Sequence, residues 1–77
     1  FEADNSLIDT VLDKFGFDTH LSAVREHTFR FTATVQISPV FFGWCCSFGD
    51  NLKVVGPVKM VESLKQYLLE ITNNYNG

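Results

Sequence analysis

Seventy-seven residues, 45% of them hydrophobic and eight of them Phe, put the chain near the lower size at which a hydrophobic core alone holds a domain together, and exclude a disordered segment. The formal charge is −3, and the six basic residues are scattered from Lys14 to Lys65. That balance disfavours binding to a phosphate backbone.

Asp4, Asn5 and Ser6 offer capping oxygens for a first helix, in which Leu7, Ile8, Val11, Leu12 and Phe15 keep one apolar face. Gly16 closes that helix, and Asp9 and Asp13 fall on its solvent side. A weak alternation over residues 19–25, with Leu21 and Ala23 on one face and His20, Ser22 and Val24 on the other, reads as a strand. The alternation becomes strong over residues 28–37, where Phe29, Phe31, Ala33, Val35 and Ile37 oppose Arg30, Thr32, Thr34 and Gln36. The polar residues 25–28 between the two strands are few enough for an antiparallel hairpin.

The next stretch organises the rest. Ser38 is a helix cap and Pro39 suits the first helical position. Val40, Trp44 and Phe48 then recur every fourth residue, with Phe41 and Cys45 beside them, and Gly49 offers the left-handed conformation that ends a helix. A core helix over residues 39–48 is expected, with Trp44 largely buried against Phe31, Ala33 and Val35. Gly43, about 1 kcal/mol less favourable in a helix than Ala, predicts a close helix-to-sheet contact. A turn at Gly49-Asp50-Asn51 leads to a short strand over residues 52–55, ended by Gly56-Pro57. The crossover should leave this strand parallel to the Phe29 strand. A last helix runs to about residue 74, docking through Val61, Leu64, Leu68, Ile71 and Tyr75.

The order helix, strand, strand, helix, strand, helix is α+β. It fits a ferredoxin-like sandwich, βαββαβ, with the first strand missing or truncated and a small sheet covered by helices on one face. Phe1-Glu2 are the candidate remnant of that strand, whose place is in the middle of the sheet. For this chain the expectation is direct parallel pairing of the Phe29 and Val54 strands into a three-stranded sheet. A strand from another chain or from upstream residues would satisfy the same edges. A single domain over residues 1–77 is expected, and the opening at Phe1 without Met suggests a piece of something longer. No apolar run approaches a membrane span and no signal peptide is present, so a cytoplasmic location is expected.

His20 and His27 lack the partner spacing of a zinc site. Cys45 and Cys46 point about 100° apart on a helix, too far to share an ion or a disulfide without strain, so reduced thiols are expected. Cys45 also lacks the electropositive setting of a nucleophile. Residues 30–35 depart from the RNA-binding RNP1 pattern, since Phe29 and Phe31 share the core face. No phosphate loop, carboxylate pair or triad spacing occurs. No catalytic, cofactor-binding or metal-binding residue is therefore assigned, no cofactor is expected, and an enzyme is not.

Three segments together resemble one family. They are Val11-Leu12-Asp13-Lys14-Phe15-Gly16, then Ser38-Pro39-Val40-Phe41-Phe42-Gly43-Trp44 with Ser47-Phe48-Gly49, then Leu52-Lys53-Val54-Val55-Gly56-Pro57. They are similar to the C-terminal extension, WCX, of bacterial WYL-domain transcriptional regulators. Its pattern is a D-[RK]-F-G helix end before a hairpin, an S-P-x-F-x-G-W helix ending in F-G, and a K-[IV]-x-x-P strand before a last helix ending near Tyr. The likeness covers nearly all of residues 7–75. It implies an upstream winged helix-turn-helix domain that binds DNA and a WYL domain that senses a ligand, such as a nucleotide or single-stranded nucleic acid. This chain would be the regulatory or accessory module behind them, supporting effector response or dimer arrangement without contacting DNA. The implied partners are those upstream domains and a homodimer mate, with no membrane. Ligand-contacting residues belong to the WYL domain, so none carries over. The alternative reading is a free-standing ferredoxin-like small-molecule-binding module with a pocket between sheet and helices.

Overall fold

Seven elements make up the chain in the computed structural model, which describes residues 1–76. In order they are β1 (Glu2–Asp4), α1 (Ile8–Phe15), β2 (Leu21–Arg25), β3 (Thr28–Phe31), α2 (Pro39–Cys46), β4 (Leu52–Lys53) and α3 (Val58–Asn76). Short 3-10 turns at Asn5–Leu7 and Gly49–Asn51 precede α1 and β4. The architecture is α+β: one four-stranded sheet in the order β2-β3-β1-β4, every neighbouring pair antiparallel, with three helices.

The direct pairing of the Phe29 and Val54 strands expected from the sequence does not occur. A short strand, β1, lies between them. Glu2 sits opposite Arg30 on one side and Lys53 on the other, and Ala3 opposite Phe29 and Leu52. The physical reason is saturation: a strand paired on both sides satisfies its own main-chain groups and those of both neighbours. Because β3 and β4 are each antiparallel to β1, they still run in the same direction, but across β1 and not alongside one another.

Strand β3 is also shorter than its sequence pattern. It ends at Phe31, whose amide donates to the Phe1 carbonyl at 3.1 Å while the Phe1 amino group donates to the Phe31 carbonyl at 2.9 Å. Residues 32–36 keep the alternation without a ladder partner among the described residues, whereas Ile37, expected on the apolar face, is exposed. Strand β2 is an exposed edge with an irregularity between Ala23 and Arg25, and the hairpin joining it to β3 is antiparallel as expected.

Register places Ala3, Phe29 and Leu52 on one face, where they are buried with Phe1, Phe31, Val11 of α1, Phe41, Phe42 and Cys45 of α2, and Met60 of α3. The other face carries exposed Ser22, Arg30 and Lys53. There Arg30 holds Glu2 through its Nε and Nη2 atoms, both at 3.1 Å.

Helix α2 is capped as its sequence predicts, the Ser38 hydroxyl accepting from the Phe41 amide at 3.1 Å with Pro39 at the first position. Its buried face overlaps the expected one at Phe41 and Cys45 and departs from it at Val40 and Phe42. Val40 is 84% exposed, whereas Phe41, Phe42 and Cys45 face the core. A helix apolar on all sides offers no amphipathic contrast by which its register can be read. Gly43 is exposed, and a Cβ there would meet nothing within 4 Å, so the expected close contact is absent. Helix α3 docks by its first half only. Met60 is buried and Val61, Leu64 and Tyr67 pack on the core, while Leu68, Ile71 and Tyr75 are exposed. Nineteen residues span roughly 28 Å at 1.5 Å each, longer than the 25 and 22 Å short axes of the molecule.

Candidate functional site

Two of the three segments singled out in the sequence, the end of α1 and the α2 stretch with Phe48, meet around Trp44. Lys14 and Phe15 arrive at the end of α1, where Gly16 turns the chain with φ 107° and donates its amide to the Leu12 carbonyl at 2.8 Å. A Cβ at Gly16 would lie 2.8 Å from Asp18 Oδ1. Gly49, after Phe48, takes φ 59°. Both glycines therefore hold a conformation that other residues rarely adopt.

Phe15 meets the Trp44 ring edge-on at 5.6 Å, Phe48 does so at 5.0 Å, and Phe41 stacks beside it at 5.9 Å. Lys14 Nζ lies 5.0 Å from the Trp44 ring centroid. This is cation–π geometry, worth about 0.5–1 kcal/mol at an exposed site. Trp44 is half-buried, ringed by aromatics and not sunk against the strand as expected. Lys14, Phe15, Phe41 and Trp44, with Val35, Gln36 and Val40, frame an open groove of about 430 Å³ between α1, α2 and the segment after β3. An apolar floor with one cation and one amide can take the flat face of a small anion or a partner side chain.

The candidates weighed in the sequence stay apart from this groove. His20 and His27 are exposed; His27 lies 3.8 Å from Glu26, and His20 lines a separate groove with Ser22 and Arg30. Cys45 is buried and Cys46 exposed, both as free thiols. Burial, with Cys46 adding, pushes the Cys45 thiol up to about 11, the opposite of an activated nucleophile. Among the described residues no group of three His, Cys, Asp or Glu side chains is placed to hold a metal ion. No helix among them is long and apolar enough to cross a membrane.

Sequence reasoning anticipated neither the contact of Lys14 with Trp44 nor that of Phe1 with Phe31. Lys14 is thirty positions from Trp44, and the signal that could have found it is its place in the D-K-F-G segment. Phe1 stacks on Phe31 at 4.9 Å, and its half-buried α-amino group is shifted below its ordinary pKa by desolvation first and by Arg30 second. The chain matches no family model, no curated protein and no solved structure.

Proposed function

We propose that the chain is a ferredoxin-like sandwich serving as the C-terminal, WCX-like accessory module of a DNA-binding transcriptional regulator. In this reading it supports effector response or dimer arrangement through packing and leaves DNA contact to an upstream helix-turn-helix domain. The observation that carries the reading is the convergence on Trp44. Lys14, Phe15, Phe41 and Phe48 come from segments that define the resemblance, and they touch one ring. Both motif glycines at positive φ have a physical reason to be there. The strand order β2-β3-β1-β4, antiparallel throughout, is also what a βαββαβ chain with a central first strand requires. The cellular setting that goes with this reading is the cytoplasm.

The second reading, a small-molecule-binding module, is favoured by the Lys14–Trp44 groove alone. Two measurements separate them. In the intact regulator, replacing this module with an unrelated linker should leave operator binding in place and abolish the response to effector. In isolation, the chain should give no gel shift with duplex DNA at physiological salt. Salt-sensitive DNA binding at micromolar concentration by the isolated chain, or an unchanged effector response without it, contradicts the regulatory reading. Saturable quenching of Trp44 by a small anion in the isolated chain supports the second.

A further inference from the structure

In the groove beside Trp44 a positive charge without a counter-charge borders aromatic surface. Lys14 takes part in none of the ion pairs among the described residues, which engage His27, Arg30 and Lys65. No carboxylate side chain lines the groove, and Lys14 is its only charged residue. Its Nζ lies instead 5.0 Å from the Trp44 centroid. On the same groove Val40 is 84% exposed, although it belongs to the helix that fills the core. The core does not account for it, since Phe41, Phe42 and Cys45 supply the buried face of α2. The remaining polar lining, Thr34 and Gln36, is uncharged and comes from the stretch after β3 that has no ladder partner among the described residues.

We propose that this groove binds a planar aromatic monocarboxylate, its ring on the wall formed by Phe15, Phe41, Trp44 and Val40 and its carboxylate on Lys14. The inference rests on the small-molecule reading above and gives it a ligand class. The volume of about 430 Å³ falls within the roughly 300–1,000 Å³ of small-ligand sites, whose mostly apolar lining carries a few placed polar groups.

Three features of the lining select that class. Charge comes first: a single ammonium group matches a single negative charge, whereas a phosphoryl group carries up to about two at neutral pH, and no second base lines the groove. An amine would be repelled by Lys14 and would find no carboxylate. Shape comes second, because a carboxylate has two oxygens in one plane, which can accept from Lys14 and from the Gln36 amide or the Thr34 hydroxyl. The third is the wall itself. Rings that already meet edge-on and offset around Trp44 favour another ring beyond the area it buries, whereas an alkyl chain gains area alone.

The test is an NMR titration of the chain with indole-3-acetate, with its neutral analogue indole-3-acetamide, and with octanoate, which has the charge but no ring. The single Trp gives one indole N–H signal, read together with the amides of Val40 and Gln36. Indole-3-acetate should saturate these shifts at a dissociation constant on the order of 1 mM, the affinity that about thirteen non-hydrogen atoms reach at ordinary ligand efficiency. The amide and octanoate should each bind at least about tenfold more weakly, a difference the size of one charge-assisted hydrogen bond or one aromatic contact. Lys14→Met should bring the affinity for indole-3-acetate down to that for the amide and leave the amide's own affinity unchanged, which also shows that the variant keeps the groove. Equal binding of acid and amide overturns the proposal while leaving the small-molecule reading in place, and so does octanoate binding as tightly as indole-3-acetate. An unchanged affinity in Lys14→Met, or shifts centred on His20 and Arg30, also overturns it. No saturable shift with any of the three probes removes the proposal and the small-molecule reading together.

Discussion

Gly16 and Gly43 meet opposite physical demands although both belong to the segments around Trp44. Gly16 sits at φ 107° with Asp18 Oδ1 where a Cβ would go, whereas Gly43 lies in a helix facing open space. Gly43→Ala should stabilise the chain by about 0.5–1 kcal/mol by restricting the unfolded state and improving helix propensity. Gly16→Ala should destabilise it by more than about 1 kcal/mol. Urea melts of the two variants measure this directly, and a destabilising Gly43→Ala would mean that the outer face of α2 is in contact. The Phe1 amine gives a pH prediction. Its folded pKa lies below the ordinary value of 8.0, so the unfolded chain binds the proton more tightly. The contribution to stability is therefore full above about pH 8 and is lost as pH falls through the folded pKa. Acetylating the amino terminus should remove that slope while keeping an N–H for the Phe31 carbonyl; a slope unchanged by acetylation would assign it to another group.

At the scale of elements, what the sequence made legible followed contrast. α1 has a polar and an apolar side, Ser38 and Pro39 mark the start of α2, and the β2-β3 hairpin is separated by polar residues, so all three are where their patterns place them. In α2 the contrast disappears. With apolar residues on every side, spacing placed Phe41 and Cys45 correctly on the buried face but put Val40 there in place of Phe42. Residues 32–37 fail for a different reason, because alternation states which face a strand would bury and says nothing about whether a partner strand lies beside it. The groove under Lys14 was illegible because its parts are distant in sequence and only the packing of α1 on α2 joins them. Helix α3 shows periodicity outrunning the core: its apolar stripe continues past the point where there is anything to dock against. Met60→Ala should accordingly cost about 2–5 kcal/mol, and Leu68→Ala no more than about 0.5 kcal/mol. Equal costs in thermal melts would mean that the second half of α3 is packed.

For the whole molecule, the three residues of β1 connect everything else. They pair with both inner strands, bring Ala3 into the core between Phe29 and Leu52, and position Phe1 against Phe31. Removing them would leave β3 and β4 as facing edges too far apart to bond, which is why a three-stranded sheet is not the structure. The most direct measurement is the pattern of interstrand proton contacts by NMR. Close Cα-proton pairs mark the non-hydrogen-bonded positions of an antiparallel ladder. Since Phe1 and Phe31 exchange both main-chain hydrogen bonds, those positions are Glu2 with Arg30 on one side of β1 and Ala3 with Leu52 on the other. Strong Cα-proton contacts at both pairs are the predicted result; contacts running directly between β3 and β4, with neither pair seen, would contradict the central place given to β1.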